Sequence, residues 1–358
     1  NYILSDPIQA HYPRQLYFWT ALRQGHFPTW NPYIFLGIPC DPMTVGVFAD
    51  VGQWVTSFPS LFLPLDFSLG VVAALRLVLA GFFMYLLMRH FQASFGGALL
   101  SALVFMFGAN TIAWLEYPQH LAAQLWMPLV FLFFDRMLTR RRWTDALFTT
   151  VFLTLLLFNW YMQLTLYVML ILCLFFLWHL WRTYKQGANW RSIGSMILLT
   201  TVAVGGALLM ASVKIWVYYQ TTSFSIRAGQ ERVHSISAVP LDRSLPVYLI
   251  SRLVTFFFPT FYGDGVEHIY WGPDNVVEAA QYIGLLPLYL IAVALVCGPR
   301  RRGTLFFAGL GICLLMVRLK VPPFANLAGL IPLVAMGTIC LLYTSDAADE
   351  GLGVDLGG

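Results

Sequence analysis

Glu116 and His120 stand one helical turn apart in Glu116-Tyr-Pro-Gln-His120, a carboxylate and an imidazole within reach of each other. Such a pair can hold or move a proton on an acceptor, or the two groups can simply satisfy each other. Asp6 precedes Pro7, a helix-start pattern in which the carboxylate caps the N-terminus. The same carboxylate at a surface is also a candidate general base. Glu278 stands where a polar stretch meets an apolar block, placed either to touch a substrate or to hold the loop. Arg76 and Lys214 fall inside apolar blocks, where an ionisable group usually faces a protein interior and often marks function. Lys214 is close enough to the end of its block to snorkel. Arg76, Arg252, Arg318 and Lys320 are the cations best placed to receive an anion such as phosphate. The five cysteines show neither metal-ligand spacing nor a paired framework, so no metal site is expected from them.

The elements that must carry these groups are apolar blocks about as long as a bilayer is thick. Hydrophobic residues make up 59% of the chain and charged ones 11%, with a mean hydropathy of +0.70. Inside lipid every backbone polar group must be paired within the chain, so such blocks are helices. Nine spans are expected, at 69–89, 96–115, 119–138, 144–158, 164–181, 194–217, 280–297, 304–317 and a truncated one at 328–342. Asn159-Trp-Tyr-Met-Gln163 interrupts a long apolar run, and its aromatic residues predict a turn at headgroup level.

Charge orients this stack. One set of connections holds Arg89; Arg136, Arg140, Arg141 and Arg142; Arg182, Lys185 and Arg191; and Arg300, Arg301 and Arg302. That is more than half of the 21 Lys and Arg residues, with only Asp135 and Asp145 as nearby acids. The alternate connections hold Asp6, Asp41, Asp50, Asp66, Glu116 and the acids of 231–278. The positive-inside rule then puts the basic turns in the cytoplasm and segments 1–68 and 218–279 outside. A net charge of +4 gathered in short inter-span clusters gives no reason to expect nucleic acid.

The outward segments are the only long stretches outside the spans, so a site is expected there. Residues 1–24 read as a helix lying on the membrane, with Ile8, Tyr12, Leu16 and Trp19 on one face. A packed loop should follow, closed by a short helix near 51–62, and Leu249 to Phe261 is a second interfacial candidate. Trp114, Trp126, Trp160, Trp178, Trp181 and Trp216 fall at span ends and read as an interfacial belt.

Asp6 with His11-Tyr-Pro-Arg-Gln15, Gly25-X-X-Pro-X-Trp-Asn-Pro32 and Gly37-Ile-Pro39 resemble the first external loop of YfhO-like bacterial membrane proteins. Pro259-X-X-Tyr-Gly263 and Glu278-X-X-X-Tyr-Ile-Gly-Leu-Leu-Pro287 resemble their later external loop and the span after it. The order and spacing cover most of residues 1–335. Val45-Gly-Val-Phe-Ala-Asp-Val-Gly52 departs from that pattern, and so does the lack of a basic motif after Pro332. The resemblance implies an all-α polytopic membrane protein with a GT-C-like transmembrane helix bundle and amphipathic interfacial helices in its external loops. It implies transfer of a sugar from a polyprenyl-phosphate donor to a cell-envelope polymer or glycolipid acceptor, at the outer face of the bacterial cytoplasmic membrane. Asp6 would be the catalytic base. Glu116, His120, Glu278, Arg76, Arg252, Arg318 and Lys320 would bind substrate. No cofactor is obligatory, and there is room for a divalent metal.

The expected organisation is thus a first external loop at 1–68, spans over 69–217, a second loop at 218–279, spans over 280–342 and a tail at 343–358. The tail looks like translated adapter sequence, the alternative being a genuine disordered acidic end. The chain reads as an internal piece of a longer protein, with one span missing upstream. A transporter or flippase of lipid-linked sugars, or a non-catalytic envelope-assembly protein, would share the same composition.

Overall fold

The computed structural model describes residues 12–33, 36–39, 55–115, 118–159, 162–223, 245–263, 269–272, 276–297, 302–319 and 321–322. The chain divides into two compact units, Asn1–Ser223 and Phe224–Gly358. In the first, α1 (Tyr12–Arg23) and a two-residue antiparallel ladder of β1 (Trp30–Asn31) with β2 (Ile38–Pro39) precede the bundle. The bundle is α2 (Leu65–His90), α3 (Phe95–Phe107), α4 (Ala109–Ala113), α5 (Pro118–Arg140), α6 (Trp143–Leu157), α7 (Met162–Lys185), α8 (Trp190–Met210) and α9 (Ser212–Ser223). The second unit holds α10 (Leu245–Leu253), α11 (Val276–Ala279), α12 (Leu285–Cys297) and α13 (Arg302–Arg318).

Five stretches are long and apolar enough to cross a membrane: Leu65–His90, Phe95–Ala113, His120–Arg140, Leu164–Lys185 and Trp190–Met210. The chain is therefore an all-α polytopic membrane protein. Helices stand at each of the first eight expected spans; α6, α12 and α13 are shorter apolar helices, and the region 328–342 lies outside the described residues. The turn expected at 159–163 is present, since α6 ends at Leu157 and α7 begins at Met162.

Helix α5 is the axis of the first unit. It packs against α2, α6, α7 and α8, and 72% of its most apolar window is buried, against at most 33% for the other four. Its large side chains explain this, for Leu121, Leu125, Val130, Phe134 and Met137 are all sealed inside. Trp126, expected in the interfacial belt, is instead core. It stacks between Phe83 of α2 at 6.2 Å and Phe152 of α6 at 6.1 Å. The threonines of α6 fold their hydroxyls back on the helix, Thr149 to the Asp145 carbonyl at 2.8 Å and Thr154 to that of Thr150 at 2.7 Å.

Two spans expected to be continuous are broken. The extended backbone of Gly108 separates α3 from α4. The Phe105 carbonyl beside the break accepts from Thr111 Oγ1 at 3.0 Å and Gln124 Nε2 at 3.3 Å, so that carbonyl is satisfied within the protein. A second interruption at Ala211 separates α8 from α9.

The basic ends of the helices meet, as the charge alternation requires. Asp135 of α5 lies between two imidazoles. His90 Nε2, at the last residue of α2, is 2.7 Å from Oδ2, and His179 Nε2 of α7 is 3.1 Å from Oδ1. Arg136 then reaches Asp145 in the first turn of α6 at 3.1 Å, and Arg141 donates to Ser192 Oγ in the first turn of α8 at 2.8 Å. These contacts tie five helix ends together.

Removing the carboxylate leaves two mostly buried imidazoles without their acceptor. Asp135→Ala is expected to destabilise the bundle by about 2–3 kcal/mol, lowering the thermal midpoint in detergent by roughly 5 °C. A triple replacement, Asp135→Leu with His90→Phe and His179→Phe, removes all three polar partners and should recover most of that loss. A midpoint unchanged in Asp135→Ala would show that the three groups do not hold the helices.

Candidate functional site

The end of the first unit opposite the basic turns is where the loop before α2 folds onto the bundle. Phe18 and Trp19 of α1 pack on Leu65, with Tyr12, Leu22 and Leu69 around them. Of the face expected from Tyr12, Leu16 and Trp19, Trp19 is buried and Tyr12 packs beside it, whereas Leu16 is 44% exposed and Phe18 takes the space on Leu65. Ile8 lies outside the described residues. Arg23, at the end of α1, donates to the Ser60 carbonyl at 2.7 Å and also to that of Leu63. The short helix expected near 51–62 is seen as a helical turn over 55–57 running into a 3-10 turn, Phe58–Leu61.

The quoted motif residues do structural work in this loop. Gly37 has φ 113°, and a Cβ there would stand 2.7 Å from the Trp30 ring. Tyr17 donates its hydroxyl to the Trp30 carbonyl at 2.7 Å. Asn31, 1% exposed, accepts the Tyr33 amide on its side chain at 3.0 Å.

Arg76 lies under this loop. It is 1% exposed and donates Nε to Thr56 Oγ1 and an Nη to Ser57 Oγ, both at 2.8 Å. His120, 9% exposed at the start of α5, stacks face to face on Trp114 at 4.7 Å between centroids. Arg76 and His120 stand on two neighbouring helices that run the same way from this end to the His90–Asp135 contact. Measured back from the His90–Asp135 contact, each is about four helical turns away, roughly 21 Å. Lys214, expected to snorkel, is instead 3% exposed and donates to the Asn159 carbonyl just past the end of α6. Beside it Thr165 donates to the Leu156 carbonyl at 3.2 Å. The polar tip of the lysine finds protein where water was expected, capping the negative end of a helix.

Of the other expected site residues, Asp6, Glu116 and Lys320 lie outside the described residues. In the second unit, Glu278 falls on α11 and Arg318 ends α13. Arg252 lies over the Tyr248 ring at 5.1 Å. Nearby, Tyr262 donates to the Ser251 carbonyl at 2.6 Å. Gly263, with φ 89°, allows the Ile269 carbonyl within 2.3 Å of where a Cβ would be. The His90–Asp135–His179 cluster was not among the expected residues. Its signal was three ionisable groups at equal depth, each just inside a basic turn. Among the described residues no group of His, Cys, Asp and Glu side chains could hold a metal ion.

Tyr12 donates its hydroxyl to Asp66 at the start of α2. That hydrogen bond, then burial and the carboxylate charge, push the phenol above its ordinary value of 10.0. No protein-family model matches the chain, and no curated protein or solved structure matches it either.

Two outcomes follow from this geometry. Arg76→Leu deprives two buried hydroxyls of their donor, so amide exchange at Phe62 and Leu63, both bonded to the Pro59 carbonyl, should quicken at least about tenfold. Unchanged exchange would mean that Arg76 does not hold the loop. For Tyr12, a folded pKa above 10.0 means the bond stabilises the packing of α1 fully below pH 10.0 and is lost as pH climbs through the raised value. Amide exchange over residues 19–23, corrected for its intrinsic pH dependence, should therefore rise in strongly alkaline buffer. Tyr12→Phe should remove that step.

Proposed function

We propose that this chain is a membrane glycosyltransferase that moves a sugar from a polyprenyl-phosphate donor to a hydroxyl of a cell-envelope acceptor. One observation carries the reading most: a buried guanidinium, Arg76, under a folded loop at the end of the bundle opposite the basic turns. The resemblance of the two loops to YfhO-like proteins supports it. The donor is a phosphodiester with one negative charge. As the acceptor oxygen attacks the anomeric carbon, the bond from that carbon to the phosphate oxygen breaks, and the departing phosphate gains a second charge. A cation held out of water is worth most where that charge grows. The acceptor proton goes to a base, the role proposed for Asp6. Glu116 and His120 would orient the acceptor. The basic turns would then face the cytoplasm and this end the outside.

A second reading has its own observation. The break at Gly108 resembles the discontinuous helices of transporters, which would make the chain a flippase of the same lipid. A flippase moves the lipid without cleaving it.

The two are separated by following radiolabelled polyprenyl-phosphate sugar in membranes carrying the full-length protein. Label passing into polymer or glycolipid supports the transferase; label crossing the bilayer still on its lipid supports the flippase. For the transferase, Asp6→Asn should preserve folding, since Asn is also a good cap, and lower turnover by about two to four orders of magnitude. Near-wild-type transfer by an abundant Asp6→Asn protein would remove Asp6 from the mechanism.

A further inference from the structure

The basic end of the first unit carries charge that nothing inside the bundle neutralises. Its two carboxylates among the described residues are both engaged internally. Asp135 is 7% exposed between two imidazoles, and Asp145 is 2% exposed against Arg136. Outside them Arg140, Arg141, Arg142, Arg182, Lys185 and Arg191 are all exposed. None of the six makes an ion pair with a carboxylate among the described residues.

Aromatic rings accompany these cations in the chain itself, as Arg142-Trp143, Trp181-Arg182, Tyr184-Lys185 and Trp190-Arg191. The rings are open to the surroundings, Trp143 at 60%, Trp181 at 53%, Tyr184 at 62% and Trp190 at 76%. All four stand at the ends of apolar helices of a membrane bundle, where exposed indole and phenol rings settle at headgroup level. A cation one residue away is then at phosphate depth. A soluble acidic partner would have to reach those cations past the headgroups, whereas a lipid is already there.

One part of this rim is built rather than merely decorated. Arg141 has φ 54°, the left-handed conformation that glycine adopts freely at a helix end. It is fixed there by its bond to Ser192 Oγ at 2.8 Å. That bond joins the turn before α6 to the first turn of α8, its packed neighbour. Arg141 is thereby tied to the residue that follows Trp190 and Arg191, and Arg142 and Trp143 follow Arg141 in the chain. We propose that this rim between α6 and α8 binds the phosphate headgroup of an anionic phospholipid, with Arg141, Arg142 and Arg191 on the phosphate and the two indoles flanking it. The site is distinct from the sugar-transfer reading, which concerns the opposite end.

The test uses the full chain in vesicles of equimolar phosphatidylcholine and phosphatidylglycerol, extracted in mild detergent, with retained lipids counted by mass spectrometry. Wild type should keep phosphatidylglycerol over phosphatidylcholine by at least about fivefold, the worth of a single cation at a charged surface. Arg141→Gln, Arg142→Gln and Arg191→Gln combined should lower the ratio severalfold in a protein that still unfolds cooperatively on heating. The wild-type preference should also fall as salt rises from about 50 mM to about 500 mM. That second measurement needs no variant to fold. Glycerol phosphate in millimolar excess should not displace the lipid; displacement would mean a site for soluble phosphate. Equal retention of the two lipids by wild type, a salt-independent ratio, or a folded triple variant that keeps its preference would each overturn the proposal.

Discussion

A charge inside this bundle has no water to turn to, and the arrangement of the first unit follows from that. Each ionisable group caught between helices must find its partner on another part of the chain. Asp135 takes two imidazoles from α2 and α7, Asp145 takes Arg136, Arg76 takes two hydroxyls from the loop before α2, and Lys214 takes a carbonyl beyond α6. Apart from Arg136 with Asp145, which meet across one short turn, none of these pairs is local in sequence. Packing of apolar side chains alone would let the helices slide or rotate, since lipid is as apolar as leucine. The polar clasps fix register and rotation, three helices at a time around Asp135. The same logic makes them costly to leave half made, so each acts as a specificity device as much as a source of stability.

With the clasps in place the two ends of the unit acquire different chemistry. At the basic end the acids are consumed inside, and guanidinium groups are left outward beside exposed indoles. At the other end the cations turn inward. Arg76 and Arg23 donate to hydroxyls and carbonyls of the loop before α2, and Lys214 to the Asn159 carbonyl past α6. One end thus meets its surroundings through charge, and the other through a shaped loop. An anion arriving at the loop end would meet cations that are already oriented, which lowers the reorganisation needed when its charge increases.

Much of this was legible in the sequence, because bilayer thickness and the placement of arginines are one-dimensional signals. Helices at the first eight expected spans, the turn at 159–163 and the gathering of basic turns at one end all follow from block length and charge alternation. What was not legible depends on three-dimensional partners. Trp126 reads as a belt residue from its distance to a span end, yet α5 is covered on several sides and the indole has neighbours where lipid was expected. Lys214 reads as a snorkelling residue from its distance to a span end, yet its tip finds the Asn159 carbonyl inside the protein. The buried face of α1 keeps Trp19 and Tyr12 of the helical-wheel face but is turned toward Phe18, which finds space against Leu65, and away from Leu16. The break at Gly108 looks continuous on a hydropathy scale, since the residues that satisfy its freed carbonyl, Thr111 and Gln124, lie on different helices.

The loop motifs raise a different question, which is how much chemistry a motif can be asked to support once its folding role is known. Gly37 is required by the Trp30 ring, Asn31 by the turn at Tyr33, and Tyr262 with Gly263 by the closure of their own loop. Any protein sharing this loop architecture would keep these residues whatever it catalysed, so they bear on fold and leave the reaction open. Chemistry needs groups whose ionisable part exceeds what folding asks of them. Stacking on Trp114 needs a flat ring at His120 and not an imidazole in particular. Holding two hydroxyls at Thr56 and Ser57 needs a donor at Arg76 and not a permanent positive charge. A buried charge is far more expensive than a buried neutral donor, and the proposed transfer reading leans on the sealed guanidinium of Arg76 more than on any loop motif.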